Sequence, residues 1–342
     1  MADDLEDLWG NRLYNQQLSL IGTTKPGEGN GFHDRISFDI PYHLQSQNNQ
    51  SYQPTHHFNT SIYLRDLSQR LNPTYNKDLG SIINDVLILN NCTENFQNTF
   101  LEYLGATSGW RRYDEILEVM GIWSHQLVYQ GIVILEIVGW YDNKSANFYA
   151  FELKRLDLAN CTFKKDHILF SAPVQNEEGE INNVSVEIPK SKCIVIEWPK
   201  ELGGIRSYEK AIRSMLKVDE KYRSLEQENY MNPGKSLENM KARDLEFNRL
   251  ISDWGAIHPP ENTTDFYKQY NFFNLKGTLL HCTYALIDGL NQLISLLNAK
   301  LSEEAMLSLN DENNEIKKFE SMKSKWLKGE LSFKESSDYL IS

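Results

Sequence analysis

Gly131-Ile-Val-Ile-Leu-Glu-Ile-Val138 decides how this chain is read, because the hydrophobic period changes at its first residue. Before it, Ile116, Met120, Trp123 and Leu127 recur at helical spacing, and the pattern stops at Gly131. From Ile132 the run is too short for a helix and rich in β-branched side chains, so it reads as a strand. A polar turn, Tyr141-Asp-Asn-Lys-Ser145, separates it from a second strand through Phe148-Tyr-Ala-Phe-Glu-Leu153. The spacing predicts strands over roughly 132–140, 147–155, 167–173, 182–188 and 193–198, with Glu177-Glu-Gly-Glu180 as a hairpin tip.

Working outward, residues 62–131 carry a helical pattern that includes Ile82, Ile83, Val86, Leu87 and Leu89. Gly203-Gly204 opens a second helical part, expected over about 207–230, 237–253, 278–300 and 312–328, with breaks at Asn232-Pro-Gly234, Gly255 and Pro259-Pro260. Ser332 and Glu335 have capping-box spacing, which predicts a final short helix. Residues 1–60 are rich in Asn, Gln, Ser and Gly and read as a polar arm with one short strand over 35–40. The expected class is α+β, divided as an arm (1–60), an α/β module (61–205), a helical region (206–277) and a C-terminal helical region (278–342).

The 342 residues suffice for about two domains, and 40% hydrophobic residues suffice for a core. A net charge of −12 argues against a dedicated nucleic-acid binder with a broad basic face. Cys92, Cys161, Cys193 and Cys282 are too far apart for a zinc module or a small disulfide framework, so reduced thiols in a reducing setting are expected. No apolar run approaches the ~18 residues of a membrane span, and Met1-Ala-Asp-Asp-Leu-Glu-Asp7 is not a signal peptide. A soluble intracellular protein without membrane contact is the expectation.

Four segments in this order resemble the portal proteins of tailed phages. They are Glu118–Val138, Phe148–Leu158, Val186–Pro199 with Gly203–Ile212, and Trp326–Glu335, covering about 110–255 and 320–340. The resemblance implies a portal-like fold, with an α/β wing and a helical stem. It also implies a non-enzymatic ring of about twelve copies conducting double-stranded DNA without sequence specificity. Implied partners are the chain's own copies, the major capsid protein, terminase and head-completion or adaptor proteins, with localisation in the virion after assembly in the host cytoplasm. Arg206, Lys210, Arg213, Lys217 and Lys221 would then face the DNA channel, although they alternate with acids as a solvated helix does. The chain is short for a portal, which leaves no room for an extended crown. A β-rich clip is not visible: it is either reduced to the 230–237 turn or lies in 254–277.

Two other readings stand beside it. Glu136, Asp142, Glu152 and Lys154 have the residue types of a Mg²⁺-dependent nuclease, with Glu-x-Lys on one strand face. Asp142 falls in a turn, however, and alternating charges on a half-exposed strand give the same pattern. An α+β adaptor is the third reading. Phosphate-binding loops, dinucleotide fingerprints, nucleophile elbows and zinc-helix motifs are missing, so no cofactor is expected, and energy for movement would come from a separate ATPase. His56-His57 lacks companion ligands, His125 and His281 sit in apolar helical patterns, and the aromatics of 254–273 read as a packed loop or subunit contact.

Overall fold

The structure, a computed structural model, describes residues 31–33, 58–76, 89–94, 112–142, 148–175, 181–228, 233–256, 264–301, 304–307 and 315–341, with isolated positions between 79 and 104. It is a mixed α+β fold. In chain order the elements are β1 (Gly31–His33), α1 (Phe58–Leu71), β2 (Leu89–Asn90), α2 (Arg112–Gln130), β3 (Ile132–Asp142) and β4 (Phe148–Arg155). There follow β5 (Cys161–Phe163), β6 (His167–Gln175), β7 (Ile181–Pro189) and β8 (Cys193–Glu197). The remainder is α3 (Gly204–Glu228), α4 (Pro233–Leu250), α5 (Asp265–Leu301), β9 (Met306–Leu307), α6 (Glu315–Leu327) and α7 (Phe333–Ile341).

The 131–138 run becomes the central strand. Along one edge β3 pairs antiparallel with β4; along the other it pairs first with β8 (Ile132↔Glu197 to Glu136↔Cys193) and then with β1 (Trp140↔His33 to Asp142↔Gly31). Strands β5, β6 and β7 form a second antiparallel sheet. Both faces of β3 are buried, which explains why its sequence is nearly continuous in apolar residues rather than alternating. Val133, Leu135, Ile137, Ile194 and Ile196 pack against the helices, while Ile132, Ile134 and Cys193 pack against Ile168, Phe170 and Ile188. A third cluster joins α5, α6 and α7 through Phe273, Leu280, Phe319, Trp326 and Tyr339.

Gly131 is required at the α2-to-β3 turn. Its φ is +71°, and a Cβ there would lie 2.3 Å from Cδ1 of Tyr208. Tyr208 in turn donates to the carbonyl of Val128 at 2.8 Å, stacks on Trp254 and meets Trp198 at a tilt, so the turn, the end of the strand module and the start of α3 share one aromatic knot.

Several boundaries differ from expectation. Leu89 leaves the helical pattern and pairs with Leu307 in a two-stranded bridge between β2 and β9. Helix α4 begins at Pro233, where a missing N–H costs nothing at the first helical turn. Helix α5 starts at Asp265 and runs 37 residues through the 277/278 division, so the aromatics from Phe266 to Phe273 are helical rather than in a loop. The expected 35–40 strand, the 177–180 hairpin tip and His56-His57 lie outside the described residues.

Candidate functional site

The basic residues expected on the second half fall on one stripe of α3. Arg206, Lys210, Arg213, Lys217 and Lys221 are all exposed, while Tyr208, Ile212, Met215, Val218 and Tyr222 on the opposite side are buried. Two of the five cations are committed. Arg213 Nη2 pairs with Glu209 at 3.1 Å, the favourable i,i+4 order, and Lys221 Nζ reaches Glu246 of α4 at 2.7 Å. Tyr222 donates to the same Glu246 carboxylate at 3.0 Å. These hydrogen bonds hold the Lys221 ammonium above its ordinary range and the Glu246 carboxyl below its own. Arg206, Lys210 and Lys217 make no ion pair among the described residues and face solvent. Three unneutralised cations in line suit non-specific contact with a polyanion backbone.

The four nuclease-type residues are only partly gathered. Glu136, Glu152 and Lys154 share one face of the sheet, since Glu136 is the register partner of Lys154 and Glu152 lies two residues along β4. Glu152 and Lys154 form an ion pair with each other. Glu136 is 0% exposed, sealed between the two sheets opposite Cys193. Asp142 sits six residues further along β3, about 20 Å from Glu136 at strand rise. Among the described residues no group of three or more His, Cys, Asp or Glu side chains is arranged to hold a metal ion. Burial, followed by the neighbouring Glu136, pushes the Cys193 thiol up to about 12, and burial also pushes Cys161 to about 12. Both thiols are therefore unreactive at neutral pH.

Sequence reading missed a polar cleft of about 300 Å³ at the start of α3, lined by Glu201, Ser207, Asp253, Asn274, His281 and Lys323. Burial lowers the pKa of His281, with Glu201 and Glu320 opposing, so the imidazole is neutral near pH 7. Lys323 is also lowered by burial, with Asp253 opposing, and its ammonium donates to Asn274 Oδ1 at 2.8 Å. His281 packs edge-on to Phe319, and among the described residues it makes no hydrogen bond to a carboxylate. His281 was visible in the sequence; its neighbours come from segments scattered between Glu201 and Lys323 and carried no local signal. His125 lies at the surface with its ring partly covered rather than in the core, its Nδ1 3.2 Å from Ser68 Oγ and its ring against Tyr129.

A second missed feature is apolar. Phe266, Leu327 and Phe333 are 63%, 60% and 58% exposed around the buried Trp326. Phe266 stacks on Trp326 at 4.8 Å, Trp326 Nε1 donates to Gln269 at 3.0 Å, and Gln269 donates to the Phe333 carbonyl at 3.1 Å. Among the described residues no helix is long and apolar enough to cross a membrane. Comparison with protein-family models, curated proteins and solved structures returns no match.

Proposed function

We propose that the chain is a portal-like structural subunit that assembles into a ring at a capsid vertex and conducts duplex DNA, without catalytic chemistry of its own. The observation that carries this reading is the order of parts. A small sheet module ends at Gly203-Gly204, which opens directly into the 25-residue helix α3, and α3 is followed after four residues by α4 packed against it. That order is what a wing feeding a stem hairpin would need. The three unpaired cations of α3 support a role along DNA: a sparse stripe attracts phosphates without the dense pairing that would arrest sliding. Of the 254–277 segment, residues from Asp265 onward are helical, which supports the alternative of a clip reduced to the 230–237 turn. Capsid protein, terminase and head-completion proteins would be the partners, and movement would be powered by a separate ATPase. Light scattering on the purified 39.7-kDa chain tests the reading: it expects the mass of a many-copy closed assembly, and a monomer at all concentrations would overturn it.

A further inference from the structure

Strand β7 presents an outer edge whose backbone groups have no partner among the described residues. Its inner edge pairs with β6 from His167↔Pro189 to Gln175↔Ile181, and just beyond, the Lys190 N–H donates to the Asp166 carbonyl at 3.1 Å. Hydrogen-bonded and non-bonded pairs alternate along an antiparallel ladder, so that bond fixes the phase. Val184, Val186 and Ile188 turn their backbone groups to β6, and Asn183, Ser185 and Glu187 turn theirs outward. The 2.7 Å contact between the Ser171 and Ser185 hydroxyls agrees, because side chains approach most closely at non-bonded pairs.

Two other edges are guarded. At β8 the side-chain amide of Gln292 reaches both the N–H and the carbonyl of Val195, at 3.4 and 3.5 Å. The far edge of β6 is covered by β5 over Ile168–Phe170, and further along it carries Pro173, whose nitrogen faces that edge and has no proton to donate. Strand β7 has neither device before Pro189. A free edge of this length is a template for another strand.

The side chains of β7 select a second β7. Val184 and Val186 lie half-buried on the face that continues into the buried Ile188, while Asn183, Ser185 and Glu187 are exposed on the other face. Ser185 is the midpoint of Ile181–Pro189, so two copies laid antiparallel about it overlap along the whole strand. Each Val184 then faces a Val186, and each Glu187 faces an Asn183, whose amide can donate to the carboxylate. Moving the centre to Glu187 sets two carboxylates against each other, and moving it to Asn183 shortens the ladder to Ile181–Ser185. One register is favoured, and it is self-complementary.

We propose that the outer edge of β7 is a self-association surface, on which two copies pair antiparallel about Ser185. The three strands β5, β6 and β7 of each copy then form one continuous sheet. This contact is two-fold, so it does not lie between neighbours of one closed ring; it joins copies from two rings, or two free subunits. It is independent of the ring reading.

Full-length Ser185→Lys and Ser185→Glu test it, because each sets like charges against each other at the centre of the contact. Ser185 is exposed and its N–H points away from β6, so both variants are expected to fold, with unchanged circular-dichroism melts. By light scattering the unaltered chain is expected to have about twice the mass of either variant. A 1:1 mixture of the two variants is expected to regain the doubled mass, since opposite charges then meet. The register is read by mixing Val184→Cys and Val186→Cys chains under air. Their thiols face each other across a non-bonded pair with Cα atoms about 4.5 Å apart, within disulfide range. The two chains are expected to link to each other faster than either links to itself.

The doubling separates paired from single rings if the ring reading holds, and dimer from monomer if it fails, so the two failures are distinguishable. A mass that neither charge variant lowers overturns the proposal, as does a mixture that stays at the lower mass. Open-ended aggregates of the unaltered chain in place of a doubled particle also overturn it. So does a lowered melt at unchanged mass, which would assign the edge to a segment of the same chain.

Discussion

Asp219 of α3 accepts two hydrogen bonds from Thr60 of α1, one from the backbone N–H at 2.8 Å and one from Oγ1 at 2.5 Å, and both residues are buried. Thr60 is the third residue of α1, where backbone N–H groups have no partner within the helix. A carboxylate from 159 residues away therefore caps the first helix and fixes it to the hairpin. A negative group at a helix N-terminus also meets a favourable dipole.

Replacing Asp219 with Ala leaves a buried N–H and a buried hydroxyl unsatisfied. The expected loss is about 2–3 kcal/mol of unfolding free energy, read from urea denaturation. Thr60→Ala removes one of the two bonds and is expected to cost less. Equal, near-zero effects for both would mean that the cap contributes nothing.

Glycine is needed more strictly at 255 than at 131. At Gly255 φ is +86°, and a Cβ would lie 2.2 Å from the backbone N of Leu275 and 2.5 Å from the carbonyl O of Asn271. Gly131 would meet side-chain atoms of Tyr208 and Ile205, which can shift. Gly255→Ala is expected to cost about 3 kcal/mol or more, and Gly131→Ala less, by thermal or urea unfolding. The reverse ranking would contradict the tight crossing of the Trp254 turn over α5.

Stability should rise with pH up to about the ordinary histidine value of 6.5 and then level off. Burial lowers the pKa of both His281 and His125, with Arg155 adding to the effect on His125, so the folded chain binds fewer protons there than the unfolded chain. Their contribution is fully present above about pH 6.5 and is lost as pH falls through the lowered folded values. The double variant His125→Gln, His281→Gln should flatten this dependence. Asp288, raised by burial and then by Glu201, acts in the opposite direction but at lower pH. A double variant that keeps the full slope would assign it elsewhere.

Substituting Gln for Arg206, Lys210 and Lys217 should leave the urea midpoint nearly unchanged, because these exposed cations have no partner to lose. The assembled particle should nonetheless hold duplex DNA less tightly, with a shallower dependence of log K on log salt concentration. An unchanged salt slope would remove the stripe from the DNA path. Lys221→Ala, which breaks the pair with Glu246, is the variant expected to weaken the hairpin itself.

The sequence made the strand module legible because both faces of β3 are buried and its apolar run stands out. Gly131, Gly203-Gly204 and the final capping box were readable for a similar reason: each is a local device with a local signature. In the capping box, Ser332 Oγ donates to Glu335 at 2.6 Å and accepts from the Glu335 N–H at 3.2 Å. The start of α5 was hidden by its amides. Gln269, Asn271 and Asn274 look like loop residues, yet all three are buried and tie α5 to its surroundings. Asn271 accepts from the Ala256 N–H, Asn274 donates to the Ser252 carbonyl, and Gln269 accepts from Trp326. Such bonds exist only once distant segments meet, and so does the pairing of Leu89 with Leu307. The burial of Glu136 was equally illegible, since it depends on a second sheet closing over the first.

Negative-stain electron microscopy of the purified, unfixed particle tests the central claim most directly. The account predicts rings with rotational symmetry and a central channel wide enough for duplex DNA, about 20 Å. That channel should be bordered by the face of α3 that carries Arg206, Lys210 and Lys217. Discrete particles of one or two copies with no channel, at concentrations where light scattering finds no larger species, would contradict it.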